Sequence, residues 1–471
     1  MARPAQISAD LGRPHRRLQS SSCRQKIVDN DGAMTVSLQK PVVTGWRCAA
    51  CGTKVAIDEV FSWRCPNSND SDRHHVLEIE SSIAPLRSNG DPNPFVAFQR
   101  YLAWDSFAAN LGLGIESRTQ IIRELDGAIA AVAGTGFVNT PFLRHDELSL
   151  ALGFNTQGGV WVKDETRNVA GSQKARHLFT ELLHLVAVEK VGRAPWKNQT
   201  ERPALAIASC GNAAIAASTL ARATNWPIQV FVPEHADAAT MKILDSLNAN
   251  ALRCPRLSTD QPGDPCVLRF REAIKAGAIP FGVQGPENAW CLDGGRTIGW
   301  EMAVVAEELE GPLFSRMFVQ AGGGAFVTCA ANGFFAGATK PKVHAVQTQG
   351  CAPLARAFEM ANKTGGARSA GSRWSQCMWP WETTPFSLAD GILDDETYDW
   401  VGACNAMADS DGFPVVASED EIHESFDLAH RVTNIDVSPT GAAGLAGLLA
   451  IRPEVGDDER VIVVFSGVRR Q

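Results

Sequence analysis

The chain has 471 residues, 45% of them hydrophobic and 20% charged, with a formal net charge of −8, the balance of a globular protein with a sizeable core. A net negative chain with no basic stripe interleaved with aromatics offers no footprint for a phosphate backbone, so a nucleic-acid partner is excluded. No apolar run reaches the roughly 18 residues of a membrane-spanning helix and no secretory apolar core opens the chain, so no membrane partner and a cytoplasmic location are expected.

In chain order, residues 1–40 read as a disordered or targeting tail. Arg3, Arg13, Arg16, Arg17 and Arg24 fit a transit peptide as well as a free tail, and Met34 offers an alternative start. The 12 cysteines fall at irregular spacings, which points to reduced thiols rather than a disulfide framework.

Residues 41–82 form a first distinct unit. Cys48 and Cys51 make a C-x-x-C knuckle and Cys65 follows after strand-like sequence, three quarters of a zinc ribbon. The second knuckle lacks its partner cysteine, and His74 or His75 can complete a Cys3His site. His74 is taken as the fourth ligand of a structural zinc, with a ribbon that has lost its metal as the alternative.

One helix is expected near RTQIIRELDGAIAAVAG. Apolar runs then recur at VWVKDE, ALAIAS, IQVFVP, ALRCP, RMFVQAG, KVHAVQTQ, FPVVAS and RVIVVFSG, each separated from the next by helix-length sequence. Near-continuous Val, Ile and Ala strands alternating with helices predict the α/β class with parallel sheets covered on both faces. Such sheets bind ligands beyond the carboxyl ends of their strands.

Four clusters lie at those ends. NVAGSQK puts Gly171, Ser172 and Lys174 where a strand hands over to a helix. The positive end of that helix disfavours an ammonium and would lower the Lys174 pKa, although a solvated first-turn lysine is the commoner meaning of such a residue. ASCGNAA sets Ser209, Cys210, Gly211 and Asn212 beside free amides at another helix start, a place for a carboxylate as well as an ordinary N-cap. QAGGGAF lets the amides of Gly322, Gly323, Gly324 and Ala325 converge on a small anion, without the spacing of a dinucleotide fingerprint or a P-loop. VIVVFSG ends a buried strand on Ser466.

Together, in this order, the clusters resemble the fold type II pyridoxal-phosphate enzymes, which include threonine synthase, the serine and threonine dehydratases and the tryptophan synthase β chain. The segment from Lys163 to Lys174 matches the family's K-x-E-x-x-N-x-x-G-S-x-K pattern. DGGRTIGWE, VQTQGCAPL and SLADGI add to the likeness.

The resemblance implies two doubly wound α/β domains with pyridoxal 5′-phosphate in the interdomain cleft, plus the small ribbon-like unit in front. The larger domain would take residues 83–165 plus 300–471, and a smaller mobile one 166–299. It implies that Lys174 is the Schiff-base lysine and catalytic base and that Asn212 contacts the phenolic oxygen. Gly322, Gly323, Gly324 and Ala325 hold the phosphate, and Ser466 meets the pyridine nitrogen. Ser172, Ser209, Cys210 and Gly211 receive the substrate carboxylate.

The expected activity is a pyridoxal-phosphate-dependent lyase or synthase performing β-elimination or β-replacement on a small hydroxy or phospho amino acid, as a homodimer. A threonine synthase acting on O-phosphohomoserine is the alternative within enzymes, and Gln173 and Ala175 stand where that branch shows Phe and Asp. A non-catalytic protein that keeps the fold is the alternative outside them.

Overall fold

The computed structural model describes residues 41–261 and 263–470, so the expected tail over 1–40 lies outside the described residues. Strands fall into three sheets. The first is antiparallel and small, ordered β2-β1-β3, from β1 (Val43–Cys48), β2 (Lys54–Ala56) and β3 (Leu77–Ser81).

A six-stranded sheet follows from β4 (Phe142–Arg144), β5 (Gly159–Asp164), β10 (Phe314–Gln320), β11 (Lys342–Thr348), β12 (Val415–Ala417) and β13 (Arg460–Phe465). Its order is β12-β11-β10-β13-β5-β4, parallel throughout except where β4 pairs antiparallel with β5 at one edge. The third sheet, ordered β8-β7-β6-β9, is wholly parallel and uses β6 (Leu205–Ala208), β7 (Ile228–Pro233), β8 (Asn250–Cys254) and β9 (Ile279–Pro280).

All eight apolar runs of the sequence are strands, within two residues of the expected bounds. The reason is visible in β5 and β13, which are buried along almost their whole length and so carry Val, Ile, Phe and Trp without polar alternation. β4 and β9 were not expected, because two or three residues, one of them Pro280, carry no period.

The helices that position the cleft are α1 (Ile115–Ala133), α2 (Lys174–Lys190), α3 (Asn212–Ala223), α4 (Cys291–Glu308), α5 (Ala325–Phe334) and α6 (Pro439–Ala450). The helix expected from RTQIIRELDGAIAAVAG is α1, which ends on Gly134 in the left-handed region at φ 76°.

The conspicuous DGGRTIGWE motif is a packing device. A Cβ at Gly294 would stand 2.0 Å from the Arg176 carbonyl on α2, and one at Gly299 would stand 2.4 Å from the Ala330 carbonyl on α5. Helix α4 therefore touches both neighbours backbone to backbone. Among the described residues no helix is long and apolar enough to cross a membrane, and the cysteines are free thiols.

Candidate active site

The turn before α2 is set by Asn168, whose side chain accepts from the Val169 amide, and by two left-handed residues, Ala170 (φ 55°) and Gly171 (φ 69°). It is stitched to the chain after β13: the Gln173 amide donates to the Ser466 carbonyl at 3.0 Å and the Val468 amide to the Gly171 carbonyl at 2.8 Å. Ser172 and Gly467 form a bridge between the two segments.

Lys174 opens α2 with no hydrogen-bond partner for its amine among the described residues. Burial pushes its pKa down, while the nearby Asp394, Cys291 and Asp399 act to raise it. Behind it lies a buried charge network of two cations and two anions. Arg176 donates to both Glu165 oxygens at 2.9 Å and to Glu301 at 2.5 Å, and Lys163 pairs with the same Glu301. Thr140 ties Glu165 and Glu301 together. The net charge of the four is zero, which is how so many ions stay dry.

The predicted glycine turn follows β10 and leads into α5. Gly324 sits at φ 88°, and a Cβ at Gly322 would fall 2.4 Å from an Asp394 oxygen. Only a chain without side chains fits there, and the first amides of α5 face the same space.

Ser466 follows β13 and accepts a 2.6 Å hydrogen bond from Gln320 Nε2. That amide also donates to the Thr440 and Gly441 carbonyls, at 3.1 and 2.8 Å. With its oxygen so engaged, the Ser466 hydroxyl proton is left to donate into the cleft.

Asn212 is the first residue of α3. Its Nδ2 lies beside Gly467, where a Cβ would come within 2.8 Å of it. Ser209, Cys210 and Gly211 form the turn between β6 and α3, with Cys210 exposed and the Gly211 amide 3.4 Å from Ser209 Oγ. Ser172 is buried and its hydroxyl has no partner, a polar atom waiting for a ligand.

The structure thus gathers Ser172, Asn212 and Ser466 around Gly467, at the turn that leads to Lys174, and Asp394 lies near both Lys174 and Gly322. Sequence reasoning missed the acids here. Asp394 lies against the Gly323 amide and is raised to about 6, by burial first and by Asp395 and Asp264 beside it. Asp399, buried, accepts from the Gly285 amide at 3.0 Å and is raised to about 7 by burial. Gln320 stands inside the quoted QAGGGAF stretch but drew no attention, since a polar residue closing a buried strand is the only signal it gives.

At the small sheet, Cys48, Cys51, Cys65 and His75 offer ligand atoms all within 4.8 Å of one another. Cys51 and Cys65 sulfurs are 3.6 Å apart and Cys48 Sγ is 3.4 Å from His75 Nδ1, close to the roughly 3.8 Å edge of a tetrahedron with Zn–S bonds near 2.3 Å. His75 Nε2 meets Asp72 at 3.1 Å, the outer carboxylate that orients a ligating histidine. His74, expected as the fourth ligand, is not one. It stacks on Trp374 at 4.2 Å and its Nδ1 accepts from Trp400 Nε1, because neighbouring residues of an extended segment point to opposite sides.

Comparison with known proteins finds relatives in sequence and in fold. Threonine synthase of Methanosarcina acetivorans is 25% identical over 336 residues, 70% of this chain and 74% of its own. Threonine synthase of Methanocaldococcus jannaschii is 21% identical over 436 residues, covering 89% and 91%. In fold, the chain resembles the T.th. threonine deaminase, with a TM-score of 0.55 at 20% identity, covering 74% of this chain and 98% of that one. Maize serine racemase is similar at a TM-score of 0.54 and 15% identity, covering 75% and 95%. The family model described as pyridoxal-phosphate dependent enzyme matches residues 134–467, the span that holds Lys174, the glycine turn and Ser466, and the chain belongs to that family.

Proposed function

We propose that the protein is a pyridoxal-phosphate-dependent lyase or synthase performing β-elimination or β-replacement on a small hydroxy or phospho amino acid. The observation that carries this reading is Ser466, a neutral hydroxyl free to donate at the end of β13, where a carboxylate would instead keep a ring nitrogen protonated. An unprotonated ring delocalises less charge, which favours prompt loss of a β-substituent over transamination.

When bound, the cofactor supplies the electron sink for the substrate carbanion. The amides of Gly322 to Ala325 would hold its phosphate, Asn212 Nδ2 would donate to its phenolic oxygen and Lys174 would anchor it. Lys174 Nζ would take the α-proton of a bound amino acid, a task helped by burial that disfavours the ammonium form. Ser172, Ser209, Cys210 and the Gly211 amide receive the substrate carboxylate, with the first turn of α3 behind them.

The test is borohydride reduction of the loaded protein, peptide mapping, and assay of 2-oxo acid release from L-serine and L-threonine. Cofactor mapped to a residue other than Lys174 overturns the assignment. A second reading, threonine synthase, is favoured by the description of both archaeal relatives; phosphate release from O-phosphohomoserine decides it.

Two further parts of the proposal concern the whole molecule. Cys48, Cys51, Cys65 and His75 hold one structural zinc, a closed set with no open position for chemistry. The protein is a cytoplasmic homodimer, which light scattering and cell fractionation check.

A further inference from the structure

Arg470 reaches back from the segment after β13 and ends between the two parts of the cleft that must stay in register. Its Nε and Nη2 donate to Asn212 Oδ1 at 3.0 and 2.8 Å, and Nη2 donates again to the Ala170 carbonyl at 2.7 Å. Ala170 is a non-glycine residue at φ 55° in the turn that leads to Lys174, a conformation that persists only where its surroundings hold it.

A guanidinium has five donors and no acceptor. Facing it, a primary amide can present only its oxygen, since the flipped amide would set donor against donor. The Asn212 amide is therefore turned one way, with Oδ1 on Arg470 and Nδ2 over Gly467 toward the cleft. Hydrogen bonds from an ion to the amide oxygen also polarise the amide and strengthen Nδ2 as a donor.

We propose that Arg470 is a positioning residue: it orients and polarises the Asn212 amide for an anionic oxygen of the ligand and pins the Ala170 turn that presents Lys174. The inference rests on the assignment of Asn212 to the cofactor's phenolic oxygen. Its consequence is electronic as well as geometric, because a weaker or misdirected donor leaves that oxygen more basic.

The test uses the full-length holoprotein and four variants: Arg470→Ala, Arg470→Lys, Asn212→Ala and the Arg470→Ala/Asn212→Ala double. The readouts are the ratio of visible to near-ultraviolet cofactor absorbance across pH and the retention of pyridoxal phosphate on dilution. Arg470→Ala is expected to lower the ratio and to weaken retention about tenfold, the scale of a lost hydrogen bond to a charged group. Asn212→Ala should do the same, the double variant no more than either alone, and Arg470→Lys should recover part of the ratio.

A wild-type spectrum in Arg470→Ala alongside an altered one in Asn212→Ala overturns the role of Arg470. Absence of a lysine-linked visible band in the wild type overturns the cofactor reading itself. Should the alanine variant not fold, Arg470→Gln, neutral and of similar reach, takes its place and is judged by the same ratio.

Discussion

Gln320 Nε2 donates to Ser466 Oγ at 2.6 Å, joining the carboxyl ends of β10 and β13, two neighbouring strands of the six-stranded sheet. The bond decides which way the serine hydroxyl can point. Ser466→Asp is expected to raise transamination, read as the pyridoxamine form of the cofactor and the 2-oxo acid that keeps the β-substituent, at the expense of ammonia and the 2-oxo acid that has lost it, and Gln320→Leu to lower stability by about 1–3 kcal/mol through the acceptors it strands. Product partitioning by chromatography and urea unfolding of the loaded protein check the pair; unchanged partitioning in Ser466→Asp removes the ring-nitrogen role.

The network behind Lys174 yields a stability prediction. Glu301 compensates both Lys163 and Arg176, and all three are buried. Glu301→Gln leaves two cations facing one anion and should cost about 3–5 kcal/mol in denaturant unfolding. A loss under about 1 kcal/mol would mean that water reaches the network.

Asp399 makes the ligand-free protein sensitive to pH. Burial raises its carboxyl to about 7 in the folded state, with the Gly285 amide and Lys174 pulling the other way, against about 3.9 when unfolded. The folded state then binds the extra proton between those values, so this contribution is complete at low pH and fades as pH rises toward 7. Stability of the wild type relative to Asp399→Asn should fall across that window by on the order of 4 kcal/mol, about 3 pH units at roughly 1.4 kcal/mol each. Thermal melts of both proteins at matched pH measure it, and parallel curves would contradict it.

Metal removal should be felt beyond the small sheet. Trp46 on β1 is fully buried and packs edge-on against Trp290, 5.0 Å away, at the entrance to α4. Purified protein is expected to carry one zinc per chain, and Cys65→Ser or His75→Ala to lose it with a lower Tm. His74→Ala should retain the metal, which separates the two adjacent histidines.

The fold was legible because parallel strands buried on both faces are largely apolar, and β5, β7 and β13 each carry such a run. Lys174 and the glycine turn could be singled out because each sits where a strand hands over to a helix, and Ser466 because it ends a buried strand. Asp394, Asp399 and Arg470 were not. They enter from irregular segments, where no period marks which side chain turns inward, and their meaning exists only once distant segments meet. The choice between His74 and His75 failed at the finest scale, since one residue of extended chain reverses the direction of a side chain.

The glycines of α4 have a further consequence. Gly294 lies on the Arg176 carbonyl of α2 and Gly299 on the Ala330 carbonyl of α5, so the helix beginning at Lys174 and the helix beginning beside the glycine turn are both gauged against one rod. The spacing between those two helices is thereby set by main-chain contact at α4. Side chains elsewhere on α2 and α5 can be substituted without moving the two helices apart at these contacts.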